Sequence, residues 1–305
     1  MNKTQKWNEF WAKESDFHEV FVCGGDDNNN ALKKLWYSVF AQFNSQDRII
    51  DIASGAGSIY RSISARNFSN LVAVDGSASA LNALSKDLPE VTTIEQDITI
   101  HNTEIDCADH IVSQFGIEYG GIAAFNVALA MLTSGGSIYC LCHGQKSSIP
   151  LQQQQQLEGI ELIRITEFLS LAMHCIAAMY RNDVPVIVKY VGQFRKVEPL
   201  LASFASKCPQ TFAAYIHASL KKMILRLKSY NEKDVLEWCE SALDQCAELE
   251  SRAQDIVNVA LDGDKIQQLK QLFARHKMEN FQVEDVINDK NASVIGLLIS
   301  ASKPK

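Results

Sequence analysis

The most restrictive feature of the chain is a junction near its start. Arg48-Ile-Ile-Asp-Ile-Ala53 is a short β-branched run that breaks at Ser54-Gly-Ala-Gly57, after which residues 58–66 carry apolar side chains at helical spacing. A buried strand, a tight glycine turn and a helix in that order confine the chain to folds that begin on a strand–helix–strand unit. The pattern then repeats. Leu71-Val-Ala-Val-Asp75 predicts a second strand, 77–88 a helix with Ser77 as its N-cap, and 91–96 a third strand ending at Asp97. Residues 110–114 predict a fourth strand, 121–132 a helix closed by Ser134-Gly-Gly136, and 137–142 a fifth strand. Strands alternating with helices of this length imply a parallel sheet covered on both faces.

In such sheets ligands bind beyond the carboxyl ends of the strands, near the point where strand order reverses. The candidate site therefore lies in residues 51–57, 75–77, 97–98, 114–119 and 143–146. Gly55-x-Gly57 permits close backbone approach to a ligand at a helix N-terminus, and Asp75 follows at a distance suited to ribose hydroxyls. Both features fit a nucleoside. A dinucleotide fingerprint needs a third glycine where this chain has Tyr60, and a P-loop is excluded because no Lys-Ser/Thr follows.

Composition limits the partners. With 47% hydrophobic and 21% charged residues over 305 positions, the chain can bury a sizeable core. The net charge of −7 falls within residues 1–150, while 151–262 carry −2 and 263–305 carry +2. No basic excess is present to neutralise phosphates, so nucleic acid is not the expected substrate. Eight thinly spread cysteines, with no CxxC pair and no histidine cluster at metal spacing, read as free thiols in a reducing cytoplasm, and no metal is expected. In Cys140-Leu-Cys142 strand alternation points both thiols to one face. The N-terminus lacks an apolar signal core, and the longest apolar stretch, 168–179, is shorter than the roughly 20 residues of a membrane span.

Ile49-Ile-Asp-Ile-Ala-Ser-Gly-Ala-Gly57, then Val72-Ala-Val-Asp75-Gly-Ser, then Glu95-Gln-Asp97-Ile98, together resemble the class I S-adenosylmethionine-dependent methyltransferases. The chain departs at Ala53, where that family usually has the first glycine of its motif. The resemblance implies that Asp51 and the turn of Ala53, Ser54, Gly55 and Gly57 hold the methionine end of S-adenosylmethionine. It assigns Asp75, with Gly76 and Ser77, to the ribose, and Asp97 with Ile98 to the adenine edge. Val112-Ser-Gln-Phe-Gly-Ile-Glu-Tyr119 looks like the family's fourth motif, which adds Gln114 and Phe115 to the cofactor set. A helix over 264–276 and β-rich runs at 281–287 and 292–301 read as the closing helix and antiparallel hairpin. The implied fold is α/β, a seven-stranded Rossmann-like methyltransferase sheet with an N-terminal helical segment and a large helical insertion before the last helix and hairpin.

The expected organisation is an N-terminal helical cap (1–46), the first part of the core (47–146), a helical insertion (147–262) and the end of the core (263–305). In the first of these, Trp7, Phe10, Trp11, Phe17 and Phe21 form an aromatic stripe, and 24–30 is a polar loop before a helix over 31–43. In the insertion, helices are expected over 157–181, 197–207 and 212–227. A seam of Val235, Cys239, Ala242, Cys246, Leu249, Ala253, Ile256 and Ala260 repeats every 3.5 residues, suiting an intrachain hairpin against 212–227 or a homodimer contact through 231–261. The insertion leaves the sheet after the fifth strand and is expected to cap the cleft.

The activity implied is methyl transfer to a small-molecule or carrier-bound acceptor, on oxygen or nitrogen. His143, past the fifth strand, is the candidate base, with Glu118 and Tyr119 behind it. The alternative is a catalytically idle methyltransferase-like scaffold; a dinucleotide oxidoreductase is opposed by Tyr60.

Overall fold

A computed structural model describes Asn8, residues 26–63, 65–101, Ile105 and 107–305. The aromatic stripe from Trp7 to Phe21 and the glycines at 24 and 25 lie outside them. The chain divides into two compact units, Met1–Ile149 with Val259–Lys305, and Pro150–Asn258.

From residue 26 on, the first unit runs through α1 (Asp26–Phe40) and β1 (Ile49–Ile52), then the short α2 (Ser58–Ser62), β2 (Leu71–Asp75), α3 (Ala78–Asp87) and β3 (Thr92–Glu95). Then come β4 (Ala108–Gln114), a 3-10 turn at Ile117–Gly120, α4 (Gly121–Met131) and β5 (Leu132–Cys142). The strands order β3-β2-β1-β4-β5-β7-β6, where β6 (Glu279–Ile287) and β7 (Val294–Ser302) form the closing hairpin. The first five strands pair in parallel; β7 runs antiparallel between β5 and β6. This is the seven-stranded sheet that the methyltransferase resemblance implies. Strand order reverses between β1 and β4, so the cleft opens where Asp51 lies beside Val112.

One face of the sheet is closed by Ile50, Ile52, Val72, Val74 and Ile111, packed in a single core with Phe125, Leu129, Leu269 and Phe273 of α4 and of α10 (Gly263–Arg275). The opposite face receives α1 and Tyr60. Phe43, just past α1, stacks on His110 at 3.8 Å between centroids and meets Tyr139 at 5.8 Å. Tyr60 is fully buried, with its hydroxyl 2.8 Å from the Val72 carbonyl and 3.1 Å from that of Ile49.

Two local expectations are corrected. Residues 26–30, read as part of a polar loop, are the first turns of α1. Ser134-Gly-Gly136 does not close α4, because β5 starts at Leu132, directly after Met131. The glycines serve an irregularity in the β4–β5 register: Gly135 has φ 82°, and a Cβ on Gly136 would lie 2.8 Å from the Asp109 carbonyl oxygen.

The second unit is helical, built from α5 (Ser148–Ile165), α6 (Phe168–Arg181), α7 (Val184–Lys207), α8 (Phe212–Leu225) and α9 (Glu232–Val259). The single helix expected over 157–181 is broken at Glu167, which has φ 49°, and the two halves bend by 49°. Side-chain caps set the later starts: Asp183 accepts from the Val186 N–H and Thr211 from that of Ala214. The 3.5-residue seam of α9 closes within the chain. Val235, Cys239, Ala242 and Cys246 share a core with Ile160, Ile163, Ala172, Ile176, Ala213, Ile216 and Leu220. The first half of the seam thus packs within the chain, as the intrachain alternative expects. Among the described residues no single helix is long and apolar enough to cross a membrane.

Within the first unit, the chain's exit toward α5 and its return from α9 lie side by side. The Leu261 N–H donates to the His143 carbonyl at 2.7 Å and the Gln145 N–H to that of Leu261 at 2.9 Å, a parallel bridge centred on Gly144 and Leu261. An excursion of more than a hundred residues thus starts and ends at one point, just beyond the carboxyl end of β5.

Candidate functional site

The site is built around the end of β1. Asp51 is 1% exposed, on a strand whose four residues are all buried, and neither carboxylate oxygen has a hydrogen-bond partner among the described residues. Burial, and secondarily the charge of Asp75, raises its pKa well above the usual carboxylate range. A buried acidic group without a partner is costly and marks a place where a donor or a cation is missing.

The turn beyond it is folded tightly. Ala53, Gly55 and Gly57 all have positive φ, at 57°, 53° and 86°. A Cβ on Gly57 would lie 2.8 Å from Leu84 of α3, so this glycine is required both by conformation and by the helix packed against it. Ala53 occupies the position where the resemblance expects glycine, and it keeps the left-handed conformation that glycine would take. Asp75 at the end of β2 braces the turn: its Oδ2 accepts from the Gly55 N–H at 2.9 Å and its Oδ1 from the Ser77 N–H at 2.8 Å. Burial raises its pKa, and those two bonds oppose the rise. Each oxygen retains a lone pair for a ligand hydroxyl. Ser77 caps α3 through Ala80, and its hydroxyl donates to Asn8 at 2.8 Å.

The adjacent β4 ends in a second left-handed residue, Phe115, with φ 52°. Two strained non-glycine residues thus sit at neighbouring strand ends, the placement expected where backbone geometry serves a ligand. Ser113, fully buried, ties the two ends together by donating to the Ile52 carbonyl at 2.7 Å and accepting from the Ile117 N–H at 3.1 Å. Gln114 accepts from the Trp36 indole at 2.6 Å.

The third group surrounds His143. Its ring is fully buried, stacked on Phe115 at 4.6 Å and met edge-on by Tyr119 at 6.3 Å. Burial depresses its pKa to about 3, so it is a neutral imidazole and a weak base at physiological pH. Glu118 is 4% exposed; its Oε1 accepts from the His143 backbone N–H at 2.9 Å. Burial pushes its pKa up to about 7, against the opposing effect of that bond.

The sequence-predicted residues therefore fall into three places. Asp51, Ala53, Ser54, Gly55, Gly57, Asp75, Gly76 and Ser77 form one turn system at β1 and β2, and Gln114 and Phe115 adjoin it on β4. Glu118, Tyr119 and His143 cluster where β5 ends. Asp97 and Ile98 lie beyond β3: Asp97 is exposed and engaged with the Thr99 N–H and hydroxyl, bonds that lower its pKa, and Ile98 packs partly against the core. Sequence reasoning missed Trp36, Ser113 and Asn8. Trp36 read only as one apolar residue of an amphipathic helix, and Ser113 and Asn8 carry no local signal. The helical unit has a cavity of its own, about 180 Å³, with mostly apolar walls; there His217 is tied to Glu198 at 2.8 Å.

No family model matches the sequence, and comparison with curated proteins finds no relative. Solved structures do resemble it. A protein of Methanococcus maripaludis assigned to the S-adenosyl-L-methionine-dependent methyltransferases is 12% identical, with a TM-score of 0.48 over 100% of this chain and 97% of that one. The plantazolicin methyltransferase BpumL, solved with a desmethyl analogue and S-adenosylhomocysteine, is 13% identical, with a TM-score of 0.49 over 99% and 95%. The N-methyltransferase NodS from Bradyrhizobium japonicum is 14% identical, with a TM-score of 0.37 over 45% and 72%. At such identities the acceptors of these proteins carry nothing over to this chain.

Proposed function

We propose that the protein binds S-adenosylmethionine at the ends of β1, β2 and β4 and transfers its methyl group to a small-molecule or carrier-bound acceptor, on oxygen or nitrogen. The observation that carries this reading is Asp51, a buried carboxylate with no hydrogen-bond partner among the described residues, beside a left-handed glycine turn braced by Asp75. S-adenosylmethionine fits that arrangement: its ammonium supplies the charge Asp51 lacks, its chain lies against the bare backbone at Gly55 and Gly57, and its ribose hydroxyls reach the remaining lone pairs of Asp75. A nicotinamide dinucleotide suits it less, because Tyr60 fills the space beneath the turn.

When bound, the cofactor supplies a methyl carbon activated by the adjacent sulfonium, and transfer is an in-line displacement. The chain's residues then align and desolvate. Phe115 and Tyr119 offer apolar walls, and the strained turns fix where the donor lies. If the acceptor is a hydroxyl or amine, its proton needs a base. Of the three candidates, Glu118, with its pKa near 7, is matched to that task at neutral pH, whereas the His143 ring is a weak acceptor. The described cysteines are all free thiols, which favours a reducing compartment such as the cytoplasm.

The test is a thermal-shift comparison of S-adenosylmethionine, S-adenosylhomocysteine and NAD. A ligand at a hundred times its dissociation constant stabilises by about 2.7 kcal/mol. A shift with the two sulfur nucleosides, abolished by Asp75→Ala, is expected; a shift with NAD alone, or with none of the three, would overturn the assignment.

A further inference from the structure

His110, Val112 and Gln114 alternate along β4 and so share one face of the sheet. Asp51 is aligned with Val112 in the neighbouring parallel strand, which puts its side chain on that same face, two residues back from Gln114. The two side chains therefore start about 8 Å apart, from strand spacing and rise alone. Above them lies α1. Phe43 covers His110, and Trp36, with no exposed surface, places its indole nitrogen 2.6 Å from Gln114 Oε1.

That contact settles a choice the glutamine cannot make alone. A carboxamide offers an acceptor at one end and two donors at the other, and it can turn over to present either. The indole N–H can only donate, so it holds the oxygen end and leaves the amino end to face elsewhere. No described residue takes those donors. The site thus presents, on adjacent strands, a buried acceptor and a pair of amide donors, neither of them paired with a described residue.

We propose that Trp36 is a positioning residue that fixes the polarity of Gln114, so that Gln114 donates to the carboxylate of the cofactor's amino-acid end while Asp51 accepts from its ammonium. The inference rests on the methyltransferase reading and deepens it: recognition is of a zwitterion, divided between β1 and β4 and oriented by α1.

Binding of S-adenosylhomocysteine is compared with binding of 5′-methylthioadenosine, which keeps the nucleoside and thioether but lacks the amino-acid end, by titration calorimetry of the full chain. Gln114→Glu keeps an acceptor for Trp36 but replaces the donors with a carboxylate. It should weaken S-adenosylhomocysteine about ten- to a hundredfold and leave 5′-methylthioadenosine unchanged. Trp36→Phe removes only the N–H and should cost S-adenosylhomocysteine a smaller factor, again selectively. Added to Gln114→Glu, it should cost nothing more, since there is no polarity left to fix. Equal losses for both ligands, or an undiminished affinity for S-adenosylhomocysteine in Gln114→Glu, would overturn the zwitterion clamp while leaving the cofactor assignment standing. Failure of the wild-type chain to bind either ligand would overturn both.

Discussion

Ala53 and Gly116 meet with no room to spare: a Cβ on Gly116 would lie 2.5 Å from the Cβ of Ala53 and 2.7 Å from its carbonyl oxygen. Ala53 is itself left-handed, at φ 57°. The turn after β1 is therefore defined jointly by an alanine under backbone strain and by a glycine just past the neighbouring strand β4 that yields space to it. We predict that Ala53→Gly is neutral or stabilises by up to about 1 kcal/mol, because relief of left-handed strain exceeds the added entropy of the unfolded chain. Gly116→Ala should destabilise by about 2 kcal/mol or more, and part of that loss should return in the double variant, which removes the Cβ clash but not the carbonyl one. A double-mutant cycle by urea unfolding reads the coupling; strict additivity would contradict it.

Asp51 is buried with no hydrogen-bond partner among the described residues, and its pKa is raised by desolvation first and by Asp75 second. Such a group favours the protonated form in the folded state. Its ionised form therefore costs stability, and the cost grows as pH rises above the unfolded value of 3.8. Asp51→Asn should stabilise the ligand-free protein at pH 8, by about 1–3 kcal/mol, while abolishing the shift produced by S-adenosylhomocysteine. A less stable variant, or one that still binds, would show that the carboxylate is satisfied in some other way.

Glu118 gives a second pH signature. In the unfolded chain it ionises near 4.5; in the folded chain burial moves this to about 7. Below 4.5 the group is protonated in both states and costs nothing. As pH rises from 4.5 through 7 stability is lost, to a total of about 3 kcal/mol. Glu118→Gln keeps an oxygen for the His143 N–H but has no charge to desolvate, so its stability relative to wild type should climb over that window. His143 acts in the opposite sense, since its depressed pKa removes stability as pH falls from 6.5 toward 3. Unfolding of the variant and wild type from pH 4 to pH 8 separates the two; parallel curves would refute the role given to Glu118.

Tyr60 is structural by its contacts. Its hydroxyl lies on the carbonyls of Val72 and Ile49, deep under the sheet. Tyr60→Phe should cost about 1–2 kcal/mol of stability and leave the affinity for S-adenosylhomocysteine unchanged. Loss of affinity at constant stability would place the ring in the ligand site instead.

The pairing of His143 and Gln145 with Leu261 makes the helical insertion separable. Replacement of 150–258 by a flexible linker of about ten residues, enough to span a short gap, should leave a folded core with the same response to S-adenosylhomocysteine. Circular dichroism and the thermal shift check it. A core that fails to fold would mean that the insertion supplies stability to the sheet.

Much of the core was legible in the sequence because strand and helix periods are local. Ile49 to Ile52 and Leu71 to Asp75 announce buried strands through β-branched runs, and Gly55 and Gly57 announce the turn. The reading failed where one residue's meaning depends on a distant one. The glycines at 135 and 136 look like a helix stop, yet they serve the β4–β5 register, which is set by Asp109 some 25 positions earlier. The seam of α9 fits a partner chain or its own chain equally well in one dimension. Only the shared core with α5, α6 and α8 identifies the partner.

The candidate site shows the same division. The sequence by itself determined which residues stand at the carboxyl ends of the strands, since hydrophobic periodicity and turn chemistry act over a few residues. It also limited the chain to an α/β sheet with a nucleoside-sized turn. Tertiary structure alone decided the electrostatic state of those residues: that Asp51 is buried with no partner among the described residues, that burial holds His143 neutral and pushes Glu118 up to about 7, and that Gln114 is held in one orientation by Trp36. Desolvation and hydrogen-bond direction depend on every group within a few ångströms, and those groups come from strands and helices that the sequence places far apart.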